Sequence, residues 1–171
     1  MEIEVKSPCD DLARIESRLI EMGAKRTGNY EQEDVYLAHP NRDFGATDEA
    51  LRIRREGIIS LTYKGPKLDP GTKSREEISV EVSDFGRVLE ILERLGFREA
   101  GRIRKTRTTY SLRGVTVSLD RVRGLGDFVE AEYEGENLGE GRSAVLSILR
   151  DLGLQGNERR SNLELLMEKS E

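Results

Sequence analysis

Residues 2–6 read Glu2-Ile3-Glu4-Val5-Lys6, with charged and apolar side chains in strict alternation. Because successive side chains of a β-strand point to opposite faces, this stretch predicts a strand with one charged face and one apolar face. Similar alternation returns in Glu77–Val82, Val115–Val122 and Phe128–Glu134. Strands of this kind form antiparallel sheets whose apolar face is covered by helices, so the predicted fold class is α+β.

Periodicity and turn residues predict the remaining elements. Further strands are expected at Glu33–His39, Ala50–Arg55, Ile58–Lys64 and Arg104–Leu112. Two helices are expected to start after Asp10 or Asp11 and after Ser83 or Asp84, and two more at Arg142–Leu152 and Asn162–Lys169. Gly65–Ser74 contains Pro66 and Pro70 and is predicted to be a mobile loop.

Two parts of the chain are similar to each other. LIEMGAKRTG (19–28) aligns with ILERLGFREAG (91–101), and Tyr36 falls opposite Tyr110. Each part has a strand, a helix and then several antiparallel strands, which indicates an internal repeat. Two such sheets can close on each other and remove their exposed edges. The prediction is a closed antiparallel β-barrel built from two similar halves, with helices outside, in one domain over residues 1–171.

Composition excludes several classes of protein. A net charge of −5 argues against non-specific nucleic-acid binding, and the absence of an apolar stretch of about 20 residues predicts no membrane span. Cys9 is the single cysteine, which fits a reducing cytosol. His39 is the only histidine. This excludes zinc sites with several histidine ligands, and Ser-His-Asp or Cys-His catalysis with paired histidines. The chemistry must then use carboxylates, lysine and arginine, or a metal held by oxygen atoms.

Cations two residues apart lie on the predicted charged faces, at Arg52 with Arg54 and at Lys105 with Arg107. The guanidinium group of one arginine can bind two phosphate oxygens at once through two N–H groups. Charged faces that converge inside a barrel would form a tunnel, and its cations would suit a triphosphate: Lys6, Arg52, Arg54, Lys64, Lys105 and Arg107. The alternative is that each charged face is simply solvated, as in many antiparallel sheets.

Carboxylates share these faces and would repel a polyanion on their own. They are Glu2, Glu4, Asp120, Glu130 and Glu132. Divalent cations resolve the conflict, because Mg²⁺ and Mn²⁺ take oxygen ligands from carboxylates and phosphates together. The pattern therefore predicts Mg²⁺ or Mn²⁺ as the cofactor.

The chain resembles the CYTH superfamily of triphosphate tunnel enzymes. Residues 2–6 match its ExExK motif, and further matches follow in order: QEDVYL (32–37), ALRIRR (50–55), YKGPK (63–67), SREEISVEV (74–82), RKTRTTY (104–110), LDRVRGLGDFVEAE (119–132) and NLELL (162–166). HPNRDFGATDEALRIRR (39–55) and GLGDFVEAE (124–132) are most similar to the class IV adenylyl cyclase branch. Asn162 stands where the superfamily usually has tyrosine.

The resemblance implies roles for individual residues. The five carboxylates above would bind or adjoin the metal, and the six cations would hold the triphosphate, with Lys6, Lys105 and Arg107 as catalytic residues. Glu77 and Glu81 would orient the cations, and the loop Gly65–Ser74 would close over the tunnel mouth. The expected partner is a small triphosphate, with no nucleic acid and no membrane, in the cytoplasm; a homodimer is left open.

Three functions compete. The first is a class IV adenylyl cyclase reaction, from ATP to cyclic AMP and pyrophosphate. The second is hydrolysis of inorganic, thiamine or nucleoside triphosphate, and the third is a non-catalytic module that binds polyphosphate or nucleotide. Binding alone does not require five acids beside a polyanion. The first two need the same tunnel and differ in whether the ribose 3′-OH is held in line with the α-phosphorus, so the sequence leaves both open.

Overall fold

The computed structural model describes residues 1–156 and 158–170. The strands are β1 (Glu2–Pro8), β2 (Lys25–Ala38), β3 (Ala50–Glu56), β4 (Ile58–Lys64), β5 (Glu77–Val82), β6 (Arg98–Leu112), β7 (Val115–Val122) and β8 (Gly126–Glu134). The helices are α1 (Leu12–Glu21), α2 (Phe44–Thr47), α3 (Phe85–Arg94), α4 (Leu138–Asp151) and α5 (Asn162–Ser170). The predicted α+β class is confirmed.

The eight strands form one antiparallel sheet in the order β1-β8-β7-β6-β2-β3-β4-β5. Two similar series of elements build this one sheet, β1-α1-β2-β3-β4 and then β5-α3-β6-β7-β8. The two series occupy equivalent positions on either side of the central β2–β6 pair. The predicted pair of similar halves is therefore confirmed by the strand order.

The sheet curls, and a loop segment lies along its β1 edge. The N–H of Lys73 donates to the carbonyl of Glu4 at 2.8 Å, and the backbones of Arg75 and Glu2 exchange hydrogen bonds of 3.2 and 3.4 Å. The two edge strands, β1 and β5, do not pair directly within the described residues. The closed barrel that the sequence predicts is thus replaced by a curled antiparallel sheet. A loop segment fills the seam between its edge strands β1 and β5.

This seam corrects one prediction about the loop. Thr72, Lys73 and Ser74, at the end of the loop predicted to be mobile, are buried. Their position follows from the hydrogen bonds to β1, because buried backbone groups need such partners. The pattern of glycine and proline does not reveal this contact, since the partner strand lies about 70 residues earlier in the chain.

Helices α1 and α4 cover the outer face of β1, β7 and β8. The Asp11 carboxylate begins α1 by accepting a hydrogen bond from the N–H of Arg14 at 3.1 Å. Ile15 of α1 and Ile148 of α4 belong to the same buried cluster as Ile3 of β1. Helix α3 covers β2 and β3 in the second cluster. The predicted placement of the helices outside the sheet is confirmed.

Leu19→Ala is expected to lower the free energy of unfolding by about 2–5 kcal/mol, because Leu19 is fully buried and its removal leaves a cavity. Its neighbour Ile20 on the same helix is 60% exposed, so Ile20→Ala should change stability by about 0.5 kcal/mol or less. Urea denaturation of both variants measures the difference. Equal destabilisation by the two substitutions would contradict the assigned orientation of α1.

The outer face of β4 and β5, at one end of the sheet, is less covered than that of β1 and β8 at the other end. Ile78 and Val80 of β5, Ile91 of α3 and Leu95, which follows α3, are more than half exposed. Helix α4 contacts β1 and β8, and no described helix makes a comparable contact with β4 and β5. The predicted apolar stripe of α3 is therefore only partly buried.

None of the described helices combines the length and the apolar character needed to span a bilayer.

Candidate active site

The inner face of β1 is charged and buried. Glu2, Glu4 and Lys6 are only 4%, 7% and 1% exposed, while Ile3 and Val5 are buried on the opposite face under the helices. A solvated amphipathic strand would expose its charged side. For β1 the solvated alternative is therefore excluded, and its charged side chains point into the curled sheet. We call the space that these inner faces enclose the interior.

Two arginines of the interior are held by aspartates in pairs of parallel hydrogen bonds. Arg107 donates to both Asp120 oxygens at 2.7 and 2.6 Å and to Glu130 at 2.8 Å. Arg54 donates to both Asp34 oxygens at 2.7 and 2.8 Å. Although burial opposes ionisation, the neighbouring Arg54 holds the pKa of Asp34 well below its usual range. These arginines are rigidly positioned before any ligand arrives.

Asp34 is a site residue that the sequence analysis missed. It is fully buried on β2, directly opposite Arg54 of β3 in the strand register. The signal that could have found it is the alternation of Gln32, Asp34 and Tyr36 with the apolar Val35 and Leu37.

Arg52 and Lys105 are less committed to protein partners. Arg52 is 8% exposed, and its buried Nε has no hydrogen-bond partner within the described residues. The Nζ atom of Lys105 lies 3.9 Å from an oxygen of Asp34 and from one of Asp120. Burial, reinforced by Arg107 and Arg54, lowers the pKa of Lys105 to about 7. Both cations are therefore available to an anion in the interior.

Lys6 connects the interior to the C-terminal segment. Its Nζ donates to Oδ1 of Asn162 at 2.5 Å and to the carbonyl of Arg160 at 3.4 Å. Burial and the nearby Lys73 lower the pKa of Lys6 to about 8. Asn162, which stands where the superfamily usually has tyrosine, thus anchors the start of α5 to β1 through this lysine.

A group of carboxylates lies where β1 meets β8. Oxygen atoms of Glu2, Glu132 and Glu134 all lie within 4.8 Å of one another, close enough to share one divalent ion. Burial, with Glu2 and Glu4 close by, raises the pKa of Glu132 to about 8. Glu132 has no ion pair among the described residues. A set of crowded oxygen donors without enough positive partners fits a hard divalent cation.

The other predicted metal ligands, Glu4, Asp120 and Glu130, differ from this group because each is engaged by a cation of the protein. Asp120 and Glu130 are bonded to Arg107, and Glu4 lies 3.5 Å from Nζ of Lys73. Burial and Glu130 act to raise the pKa of Glu4, but nearby cations, led by Lys73, lower it to about 2. Lys73 is therefore a further cation of the interior. The sequence analysis had placed it only in the loop that was expected to close over the tunnel mouth.

The two glutamates of β5 differ in position. Glu77 lines the interior near Lys64, at 3.8 Å, and its buried Oε2 has no hydrogen-bond partner within the described residues. Glu81 is exposed and is absent from the described lining of the cavity, so the structure does not bring it to the site. The reason is that β5 is an edge strand, and the sheet opens to solvent on both of its faces there.

The interior opens into a cavity of about 1120 Å³. Its inner part contains the predicted cations Lys6, Arg52, Arg54, Lys64, Lys105 and Arg107, together with Glu2, Glu4, Glu130 and Glu132. Its outer part is formed by residues 37–50, including α2, and by residues 161–168, including most of α5. We call this outer part the mouth. The geometry thus brings cations and carboxylates from six strands around a single space.

Comparisons with known proteins agree with this architecture. The CYTH domain family matches residues 1–161. A Methanocaldococcus jannaschii protein, provisionally named an adenylate cyclase, is 39% identical over 171 residues, covering 96% of this chain and 98% of the relative. A solved Pyrococcus horikoshii protein is 44% identical, with a TM-score of 0.90 over 99% of each chain.

A more distant structure shares the fold alone. It is a Hippeastrum protein provisionally named an adenylyl cyclase and described as having a dominant triphosphatase activity, 21% identical with a TM-score of 0.71, over 99% of this chain and 96% of that one. The archaeal relatives, at 39% and 44% identity, are more similar in sequence, and the family match covers residues 1–161. With its charged interior and its duplicated curled sheet, the chain belongs to the CYTH family.

Proposed function

We propose that the protein is a divalent-metal-dependent enzyme that holds a triphosphate in the interior and converts ATP to cyclic AMP and pyrophosphate. The observation that carries the proposal is the surplus of binding capacity in the buried site. Arg52 has an unpartnered buried N–H, and Glu132 has no cationic partner among the described residues. Unpaired buried polar groups are costly, so their presence indicates a ligand that completes them. A triphosphate with a metal ion supplies both charges.

The cations have different roles in this proposal. Arg54 and Arg107 are fixed by Asp34 and Asp120 and hold their remaining N–H groups in fixed directions. Arg52 and Lys105 donate to the phosphate oxygens directly, because their own protein contacts are longer or incomplete. In the cyclase reaction the ribose 3′-hydroxyl gives up its proton to solvent as its oxygen bonds to the α-phosphorus, while the bond from the α-phosphorus to the bridging oxygen of pyrophosphate breaks. The charge that develops on pyrophosphate is then stabilised by these groups.

Glu2 and Glu132 are the residues that we propose to hold the metal, with Glu134 beside them. A bound Mg²⁺ or Mn²⁺ would neutralise charge between these carboxylates and the phosphates. Lys64, 3.4 Å from Glu2 and 3.8 Å from Glu77, contacts both glutamates, which lie on the two edge strands β1 and β5.

The product of ATP tests the proposal. The protein is incubated with ATP and Mg²⁺ or Mn²⁺, and the products are separated by chromatography. Cyclic AMP with pyrophosphate supports the cyclase reaction. ADP with phosphate would instead support the triphosphatase, which uses the same cations but places water in line with the γ-phosphorus. Absence of turnover of both ATP and inorganic tripolyphosphate would contradict an enzymatic role.

Binding of tripolyphosphate at about pH 8 is expected to take up protons. With a pKa of about 7 the amine of Lys105 is mostly neutral at this pH, and a bound polyanion favours its charged form. Because binding raises the pKa, uptake occurs above about pH 7 and disappears well below it. Calorimetric titrations in two buffers of different ionisation enthalpy measure the protons.

Lys105→Arg is the matched control, because arginine stays charged at every pH used. This variant should lose the share of proton uptake due to Lys105 and retain binding. Uptake equal to that of the unmodified protein would show that Lys105 does not face the phosphates.

A further inference from the structure

The two edge strands of the sheet carry the same pattern but are covered differently. Residues 77–81 read EISVE, close to EIEVK at residues 2–6, and β5 holds the position at its end of the sheet that β1 holds at the other. The two apolar side chains of β1 in this pattern are each 1% exposed. Ile78 and Val80 of β5 are 59% and 57% exposed. The repeated apolar face is therefore buried at one end of the sheet and open at the other.

The cover of β1 is helix α4. This helix contacts β1 and β8, and its Val145 and Ile148 lie in the same buried cluster as Ile3. A helix equivalent to α4 would follow β4 in the chain, but residues 65–76 there include the segment that fills the seam. No described helix makes a comparable contact with β4 and β5. The outer face of these two strands, which we call the open face, thus has the apolar pattern of a helix-binding surface.

Helix α3 borders the open face. Aligned on the glycine that follows each helix, Ile91 of α3 corresponds to Arg18 of α1. Arg113 and, to a smaller extent, Arg18 lower the pKa of Asp151 at the end of α4, so Arg18 lies on the side of α1 that faces α4. By the same symmetry Ile91, which is 59% exposed, lies on the side of α3 that faces the open face.

The charges of α3 and β5 are complementary. The charged residues of β5 are both acidic, and Glu81 is exposed. Arg87 and Arg94 of α3 have side chains that are 85% and 82% exposed. Within the described chain each pairs only with an exposed acid three or four positions away, at 3.9 and 3.4 Å. Exposed pairs of this kind are weak, so both arginines can exchange them for an acid on another molecule.

We propose that a second copy of this chain covers the open face, with α3 of each copy packed on β4 and β5 of the other about a twofold axis. Ile91 of one copy then lies against Ile78 and Val80 of the other, in the place that α4 takes on β1 and β8. Arg94 of one copy meets Glu81 of the other. A twofold interface needs one patch that is complementary to itself, and this patch holds both an apolar helix side and an apolar strand face. The interior lies on the opposite face of the sheet, so the inference is independent of the proposed function.

Sedimentation velocity over a wide range of protein concentration tests the proposal. Ile91→Glu is compared with Ile20→Glu, because Ile20 on α1 is 60% exposed and lies outside the open face. The unmodified protein and Ile20→Glu should sediment as dimers. Ile91→Glu should dissociate, with a Kd about a hundredfold higher, since the twofold axis places the substitution in the interface twice. Thermal unfolding of both variants verifies that they are folded.

Reversal of two charges tests the packing itself. Arg94→Glu and Glu81→Arg should each weaken the dimer, and the double variant should recover it because the pair is restored with opposite signs. A double variant no tighter than the single ones would overturn the packing of α3 on β5. Equal dimerisation of Ile91→Glu and Ile20→Glu would overturn the proposed interface. A monomeric unmodified protein at every concentration would overturn the second copy as the occupant and leave the open face to a helix of a different protein.

Discussion

Removal of divalent metal ions is expected to abolish turnover of ATP. The interior places Glu2, Glu4, Glu130 and Glu132 beside the cations that would hold the phosphates. Without a metal, the charge that develops on the departing pyrophosphate beside these carboxylates lacks the divalent ion that would neutralise it. Chelation followed by an assay for cyclic AMP and pyrophosphate should give background values, and adding back Mg²⁺ or Mn²⁺ should restore the rate.

Glu132→Gln separates loss of metal from general damage. The amide keeps the size of the side chain and weakens the ligand set, so this variant should need a higher Mn²⁺ concentration for half-maximal rate. Leu95→Ala serves as the control and should follow the metal dependence of the unmodified protein, since Leu95 lies on the surface. Turnover that survives chelation would contradict the role assigned to the carboxylates.

Arg52→Ala is expected to lower kcat/KM by a factor on the order of 10²–10³, or about 2.7–4 kcal/mol, the effect of deleting one positioned donor in a closed site. The buried Nε of Arg52 has no partner among the described residues, so its hydrogen bond is available for a phosphate oxygen. Mn²⁺ should not rescue the variant, because the missing group contacts phosphate. Steady-state kinetics over a Mn²⁺ titration measure both effects.

Arg54→Ala is the matched comparison, because Arg54 lies on the same face of β3 and is already bonded to Asp34. Its removal leaves the Asp34 carboxylate buried without that partner and should lower the free energy of unfolding by about 3–5 kcal/mol. Arg52→Ala leaves no such orphan and should unfold at the same or a higher denaturant concentration. Equal stability losses in the two variants would contradict this division between an available and a committed arginine.

The fold was largely predictable because its strands carry local alternation. Residues 2–6 and Val115–Val122 show two faces in the sequence, and the structure uses both. The first part of β2 was missed: Lys25–Gln32 lacks an apolar face and is held mainly by its pairing with β6. That pairing joins residues 73 to 86 positions apart, from Gln32 with Lys105 to Lys25 with Ser111, and periodicity does not report such distant partners. The extent of β6 before Arg104 was missed for the same reason.

The candidate site was predictable where a charge repeats on one strand, and less so where its role depends on register. Arg52, Arg54, Lys105 and Arg107 all line the cavity as predicted. Whether each of these cations is free to bind a phosphate depends on which residue lies opposite it on the next strand. Asp34, for example, lies opposite Arg54. Glu81 was placed wrongly because alternation shows that a strand has two faces but does not show that it lies at an edge.

The most direct test is the position of the ligand itself. Crystals grown with Mn²⁺ and a non-hydrolysable ATP analogue, measured at the manganese absorption edge, would place both the metal and the phosphates. The account predicts an anomalous peak beside Glu2 and Glu132, with phosphate oxygens within hydrogen-bond distance of Arg52 and Lys105. Phosphates bound on the outer face of the sheet, with the interior filled only by water, would contradict it.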